Sequence, residues 1–155
     1  TTLAKRLSKK TKYPCIDVNR IIRKYNISEE YDKKRKCKVV DIRKLNKFLI
    51  KEINHYKKLK KVDGLIIDSH LSHYLPKTYV DLCVITKCKL SVLKNRLKKK
   101  KYSEEKIREN LDCEIFDVCL NEAEENKHKI MTIDTTKGIN INSILARIKW
   151  NKYLH

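Results

Sequence analysis

The amino-acid sequence predicts an α/β fold in which a parallel sheet is flanked by helices. Two observations carry this expectation. Short apolar runs alternate with segments of helical periodicity along the chain, and two of the runs are apolar at nearly every position. A strand that is apolar on both faces is one covered on both faces, the position strands take when crossover helices join parallel neighbours. With 155 residues and neither repeat nor linker, the chain is expected to form one domain, 1–155, with a core of its own.

In chain order, residues 1–10 read as a helix, with Leu3 and Leu7 four apart among Lys5, Arg6 and Lys9. A helical pattern running from Thr1, with no Met before it, makes an upstream segment expected. Tyr13-Pro14-Cys15-Ile16-Asp17-Val18 reads as a short strand, near the start of which Pro14 is tolerated. Asn19 is expected to cap a brief helix through Ile21, Ile22 and Tyr25. Residues 26–38 are polar and read as a loop or mobile flap, after which Asp41 caps a helix with Ile42, Leu45, Leu49 and Ile53 on its apolar side. Residues 55–61 read as a lysine-rich connector.

Gly64-Leu65-Ile66-Ile67-Asp68-Ser69-His70 is the stretch around which the chain is organised, read as a fully buried strand ending in a carboxylate. In open α/β sheets the carboxyl end of such a strand faces the ligand crevice, and there phosphate-handling proteins hold a magnesium ion. His70 lies two residues on and shares a side with Asp68 if the chain stays extended. On these residues alone, a capping Asp68 and an ordinary loop histidine are equally good readings.

A loop follows at 72–76, then Val80-Asp81-Leu82-Cys83-Val84-Ile85 as the next buried strand and a helix from Lys89 through Val92, Leu93 and Leu97. Ser103, with Glu104 and Glu105 behind it, caps a long helix expected to run through Ile107, Leu111, Ile115 and Val118 toward Ala123. Ile130-Met131-Thr132-Ile133 is the last strand, and Ile141, Ile144, Leu145 and Ile148 mark a terminal helix against which Trp150 packs.

Lys+Arg number 38 against 19 Asp+Glu, a net charge of +19, so nucleic acid, a ribosome or a nucleotide is the expected kind of partner. Lysine excess is also what adaptation to heat or a biased genome produces, so charge alone does not assign RNA. Six cysteines at 15, 37, 83, 88, 113 and 119 form no C-x-x-C pair and read as reduced, small apolar side chains. No apolar run approaches the roughly 18 residues of a membrane span, so an intracellular, cytoplasmic chain that touches no membrane is expected, nuclear if the source is eukaryotic.

Four segments together, Val39-Val40-Asp41, Ile66-Ile67-Asp68-Ser69-His70-Leu71-Ser72-His73, Tyr102-Ser103-Glu104-Glu105-Lys106-Ile107-Arg108-Glu109-Asn110 and Cys113-Glu114-Ile115-Phe116-Asp117-Val118, resemble the adenylate kinase isoenzyme 6 family, in order and over nearly the whole chain. The resemblance implies a P-loop NTPase-like three-layer fold of nucleoside monophosphate (NMP) kinase type. It implies a broad-specificity kinase converting ATP and AMP to two ADP, with ATPase activity and a part in small-ribosomal-subunit maturation and rRNA processing. Mg²⁺ with ATP is the implied cofactor. The implied partners are the ribosomal protein of the S-eleven family and pre-ribosomal RNA.

Residue by residue, Thr1-Thr2-Leu3 match the end of the family's phosphate loop, so the first strand and most of the Walker A loop are expected to lie outside this sequence. The resemblance makes Thr1 a Mg²⁺ ligand and Thr2 a phosphate contact. Asp68 becomes the acid that organises Mg²⁺ and its waters, and His70 the histidine tied to ATP hydrolysis. Residues 17–40 would be the monophosphate-binding flap, with Asp17 and with Arg23 gripping the acceptor phosphate, a task that suits a guanidinium fork. Residues 99–109 would be the lid. Arg96, just ahead of the lid, and Lys100, four apart on one helical face, would point at the same polyphosphate. The family has Arg-Gly where this chain has Lys100-Lys101, which keeps a charge but loses the fork and the hinge glycine. Lys137 aligns with a lysine near the adenine. His55, His73, His128 and His155 receive no role. Two further readings stay open: a ribosome-assembly ATPase with negligible kinase activity, and an inactive fragment.

Overall fold

The computed structural model describes residues 2–32, 37–59 and 62–148; Thr1, Trp150 and His155 fall outside them. Helix α1 (Thr2–Thr11) leads to strand β1 (Cys15–Asp17), helix α2 (Val18–Lys24), strands β2 (Ser28–Asp32) and β3 (Cys37–Val40), helix α3 (Ile42–Leu59) and strand β4 (Ile66–Asp68). After two 3₁₀ turns, Ser72–Tyr74 and Lys77–Tyr79, come β5 (Cys83–Lys87), α4 (Leu90–Lys99), α5 (Glu104–Ile115), α6 (Val118–Glu125), β6 (Ile130–Asp134) and α7 (Ile141–Arg147). The α/β architecture is as expected: β1 pairs with β4 and β5 with β6, both parallel, with helices packed against them.

Strand alternation divides the interior in two. On one side of β4, Leu65 and Ile67 pack against Ile16, Val18, Ile21, Ile27, Leu45, Leu49, Ile53 and Leu75. On the other, Ile66 packs with Leu3 and Leu7 of α1, Ile133 of β6, Ile144 of α7 and Val84 of β5. With a core on each face, the successive residues Leu65, Ile66 and Ile67 must all be apolar until the chain leaves the sheet at Asp68, which is why this run carries no alternation. Helix α3 forms because Leu45, Leu49 and Ile53 recur on one face, all buried, and because the Asp41 carboxylate accepts the Lys44 N–H at 3.0 Å.

Several expectations need correction. Residues 26–38 contain a strand of an antiparallel β2–β3 pair with a register shift between Ser28 and Tyr31, not only loop; the ladder is a backbone property that a charged sequence conceals. The connector expected at 55–61 is helical as far as Leu59, since lysines are good helix formers. Asp17, not Asn19, caps α2, accepting the Asn19 N–H at 2.9 Å. Strand β4 is half-buried instead of fully buried, because among the described residues its only ladder partner is β1.

The strand expected at 80–85 begins three residues later, after a 3₁₀ turn. The long helix expected to reach Ala123 breaks at Asp117, which takes the left-handed conformation at φ 52° and separates α5 from α6. Of the cysteines read as small apolar side chains, Cys83 is buried, whereas Cys15 and Cys113 are exposed.

Leu49 is fully buried among α2, α3 and the β1–β4 pair. Leu49→Ala is expected to lower unfolding free energy by about 2–5 kcal/mol, read from the shift in urea midpoint at unchanged slope.

Candidate active site

The register of β1 and β4 sets Asp17 opposite Asp68, so two carboxylates leave the sheet side by side at its carboxyl end, on strands about 4.8 Å apart. Mg²⁺ takes oxygen ligands, keeps several waters and is usually held by one or two carboxylates together with substrate phosphates. The pair Asp68 and Asp17 fits that requirement. Among the described residues no three His, Cys, Asp or Glu gather into a metal cage, so the remaining ligands would be phosphate and water oxygens.

The chain leaving Asp68 is a tight, self-bonded turn. Leu71 N–H donates to Ser69 Oγ at 2.9 Å, Ser72 Oγ to Ser69 O at 2.9 Å, Tyr74 N–H to Leu71 O at 3.2 Å and Leu75 N–H to Ser72 O at 3.1 Å. His70 is exposed at its front. Desolvation, then the Lys106 ammonium and His73, lower its pKa, so it is neutral at pH 7.

Behind the turn lies a network with no local signature in the sequence. His73, 4% exposed, donates from Nε2 to Glu122 Oε2 at 2.7 Å, and Tyr74 donates its hydroxyl to Glu122 Oε1 at 2.8 Å. His128 Nε2–H donates to the His73 carbonyl at 2.8 Å, and Asn46 Nδ2 to the Tyr74 carbonyl at 2.7 Å. Burial lowers the His73 pKa although Glu122 opposes it, so the ring acts as a neutral donor. Sequence reasoning missed Glu122, His73 and His128 because 49 residues separate His73 from Glu122 and only the fold brings them together.

Arg96 and Lys100 do not point together. The Arg96 guanidinium turns toward the segment after β6, donating to Thr135 O at 2.7 Å, Thr135 Oγ1 at 3.1 Å and Thr136 O at 3.4 Å, and to Cys88 Sγ at 3.4 Å. It therefore braces the segment that leads to exposed Lys137 and does not turn toward Lys100. Lys100 ends α4, and its Nζ lies 5.9 Å from the Tyr102 ring centroid. The backbone still stacks the two residues, since the Lys100 N–H donates to the Arg96 carbonyl at 3.3 Å; the side chains part because Arg96 meets acceptors after β6 while Lys100 lies beside the Tyr102 ring. Lys101, where the family has glycine, occupies the left-handed region at φ 56°, so the turn keeps the backbone shape without the residue that adopts it freely.

The helical hairpin α4–α5 is stopped by a second fixed point. Lys87, at the end of β5, forms ion pairs with Asp117 and, at 3.8 Å, with Glu114, whose carboxylate also accepts the Cys88 N–H at 2.8 Å. Arg23 is exposed on α2, its Nε donating to the Asn19 carbonyl at 3.2 Å. Thr2 is exposed at the start of α1. The structure thus gathers Asp17, Asp68 and His70 near the carboxyl end of the β1–β4 pair, and ties Arg96 to the segment that follows β6.

A family described as the AAA domain matches residues 1–117. A putative adenylate kinase of Methanocaldococcus jannaschii is 36% identical over 136 residues, covering 88% of this chain and 70% of that protein. A putative adenylate kinase of Methanosarcina acetivorans is 35% identical, covering 88% and 71%. An adenylate kinase isoenzyme 6 homolog of Caenorhabditis elegans is 31% identical over 128 residues, covering 81% and 66%.

Burial, followed by the Glu122 carboxylate that its hydroxyl bonds, pushes the Tyr74 pKa up to about 12. A raised native pKa contributes stability that is complete below the unfolded value near 10 and is lost as pH rises through about 12. Ultraviolet titration should show a late-ionising phenol that is missing in Tyr74→Phe.

Proposed function

The chain belongs to the adenylate kinase isoenzyme 6 family, whose members are P-loop NTPase-like α/β proteins, and from that premise we propose that it transfers the γ-phosphoryl group of ATP to AMP, with Mg²⁺, giving two ADP. The observation that carries this reading is the paired end of β1 and β4, where Asp17 and Asp68 stand in register with His70 just beyond. Phosphoryl transfer requires little covalent help from a protein. It requires the acceptor oxygen in line with the bond to be broken, and cations around the oxygens that gain charge.

In this reading Asp68, with Thr1, holds Mg²⁺, which when bound neutralises phosphate charge. Thr2 and Lys100 contact the triphosphate, and Lys137 lies beside the base. Arg23, on the flap 17–40, orients the AMP phosphate, and Asp17 fixes the start of that flap by capping α2. An oxygen of the AMP phosphate forms the new bond to the γ-phosphorus as the bond to the β,γ-bridging oxygen breaks, and ADP leaves with that electron pair. Arg96 reaches the polyphosphate by exchanging its bonds to Thr135 and Thr136 for phosphate oxygens as the lid 99–109 closes. A neutral His70 orients the acceptor, or water when ATP is hydrolysed instead.

Asp68→Asn is expected to lower kcat for ADP formation from MgATP and AMP by about 10²–10³-fold, read in a coupled assay on the full protein. Loss of less than about threefold would remove Asp68 from the reaction.

A specific observation favours a complementary reading, a role beside RNA in small-subunit maturation. The outer face of α3 carries Lys47, Lys51, Asn54, His55 and Lys58 along one exposed stripe, and the helix has a single acid, Glu52, which accepts the Tyr25 hydroxyl at 3.4 Å. Lys47 and Lys51 lie one helical turn apart, about 6 Å along the axis, and Lys58 about two turns further on; such a line of cations matches a phosphodiester chain better than a membrane, because the apolar face of α3 is already used in the core. Replacing Lys47, Lys51 and Lys58 with Gln should reduce the slope of log affinity against log salt for single-stranded RNA by about 2, near 0.7 for each phosphate no longer neutralised. An unchanged slope would rule this face out as the RNA-binding surface.

A further inference from the structure

We propose that Glu122 is a positioning residue for phosphoryl transfer, acting through His73 and Tyr74 to fix the orientation of the segment 68–70; this rests on the kinase reading. Both carboxylate oxygens of Glu122 are engaged, one by each neighbouring residue of the turn. A charged acceptor shared by two neutral donors binds more strongly than a neutral one, and its planar carboxylate dictates direction as well as distance. The backbone carbonyls of the same two residues are held from elsewhere, by His128 and by Asn46. Residues 73 and 74 are therefore fixed through side chain and main chain at once.

Between this anchor and His70 stand only Leu71 and Ser72, inside a turn closed by four internal hydrogen bonds. A turn bonded in this way shifts as a unit, so a change at His73 reaches His70. Glu122 itself sits on α6, beyond the left-handed joint at Asp117 that Lys87 holds to β5. The lid 99–109 of the kinase reading lies ahead of that joint, so it can close over a nucleotide while the anchor stays in place. The arrangement separates the moving part of the site from the part that must not move.

The test compares the full protein with Glu122→Gln, His73→Gln and the double variant, measuring kcat, KM for ATP and AMP, melting temperature and the His70 ring signals in ¹H–¹³C spectra. Glu122→Gln keeps the shape but replaces one acceptor with a donor facing a donor. The expected result is a fall in kcat of about tenfold with both KM values within about twofold, shifted His70 signals, and a double variant no slower than the slower single. If Glu122→Gln does not fold, Tyr74→Phe removes one of the two bonds and is expected to lower kcat about threefold with the same ring shift. An unchanged kcat overturns the proposal, as does a fall in kcat with unmoved His70 signals, or losses that add fully in the double variant. A wild-type protein that forms no ADP sinks the kinase reading; the His70 signals then decide separately whether Glu122 sets that ring.

Discussion

The apolar stripe of α1 is the contact on which the rest of the structure depends. No ladder hydrogen bond joins the β1–β4 pair to the β5–β6 pair among the described residues, so side chains must connect them. Leu3 and Leu7 do so, packing with Ile66 of one pair and with Val84, Met131 and Ile133 of the other, while Ile144 of α7 closes the same cluster. Each such buried leucine contributes about 1.5–3 kcal/mol by leaving water. Hydrophobic contact is not directional, however, and a backbone ladder is. The relative placement of Asp68 and the Arg96–Thr135 contact therefore depends on how well these few side chains interdigitate.

Within that frame, rigidity is distributed unevenly. The turn after β4 is fastened from α3, from α6 and from the segment preceding β6, so the carboxyl end of β4 is held from three directions. The α4–α5 hairpin is held at its base, where Lys87 meets Asp117 and Glu114, and along α4 by the Arg96 bonds to Thr135 and Thr136, while its tip carries exposed Lys100 and Tyr102. Reactions governed by positioning need this division, since a reactive geometry must be kept while the cover above it opens and closes.

The electrostatics follow the same division. Lysines cover the outer surface, where solvent and salt screen them, and the described ion pairs are few and only partly buried. Inside, charge appears where a hydrogen bond receives it: Glu122 accepts from His73 and Tyr74, and Glu114 accepts from the Cys88 backbone. Burial keeps His73 neutral, so the network rests on a carboxylate and two uncharged donors, and its integrity does not require an imidazolium.

The sequence by itself determined the order of elements and the inner faces. Leu45, Leu49 and Ile53 at helical spacing, the Asp41 and Ser103 caps, and the unbroken apolar run ending at Asp68 are all local patterns, and local physics reads them. Only the tertiary structure decided the hairpin of β2 and β3, whose ladder lies in the backbone, and the break at Asp117, which a Lys87 from another strand stabilises. It also decided that Arg96 bonds Thr135, 39 residues away, instead of sharing a direction with Lys100. The carboxylate pair was half legible: Asp68 stands out at a strand end, but its neighbour Asp17 is known only from register. Glu122 was not legible at all. A glutamate beside Asn121, with Glu124 and Glu125 close behind, reads as one more solvent-facing acid, and only when α6 packs behind the turn does it find two donors. Periodicity reports which face of an element leaves water; it carries no information on which distant group will meet it there.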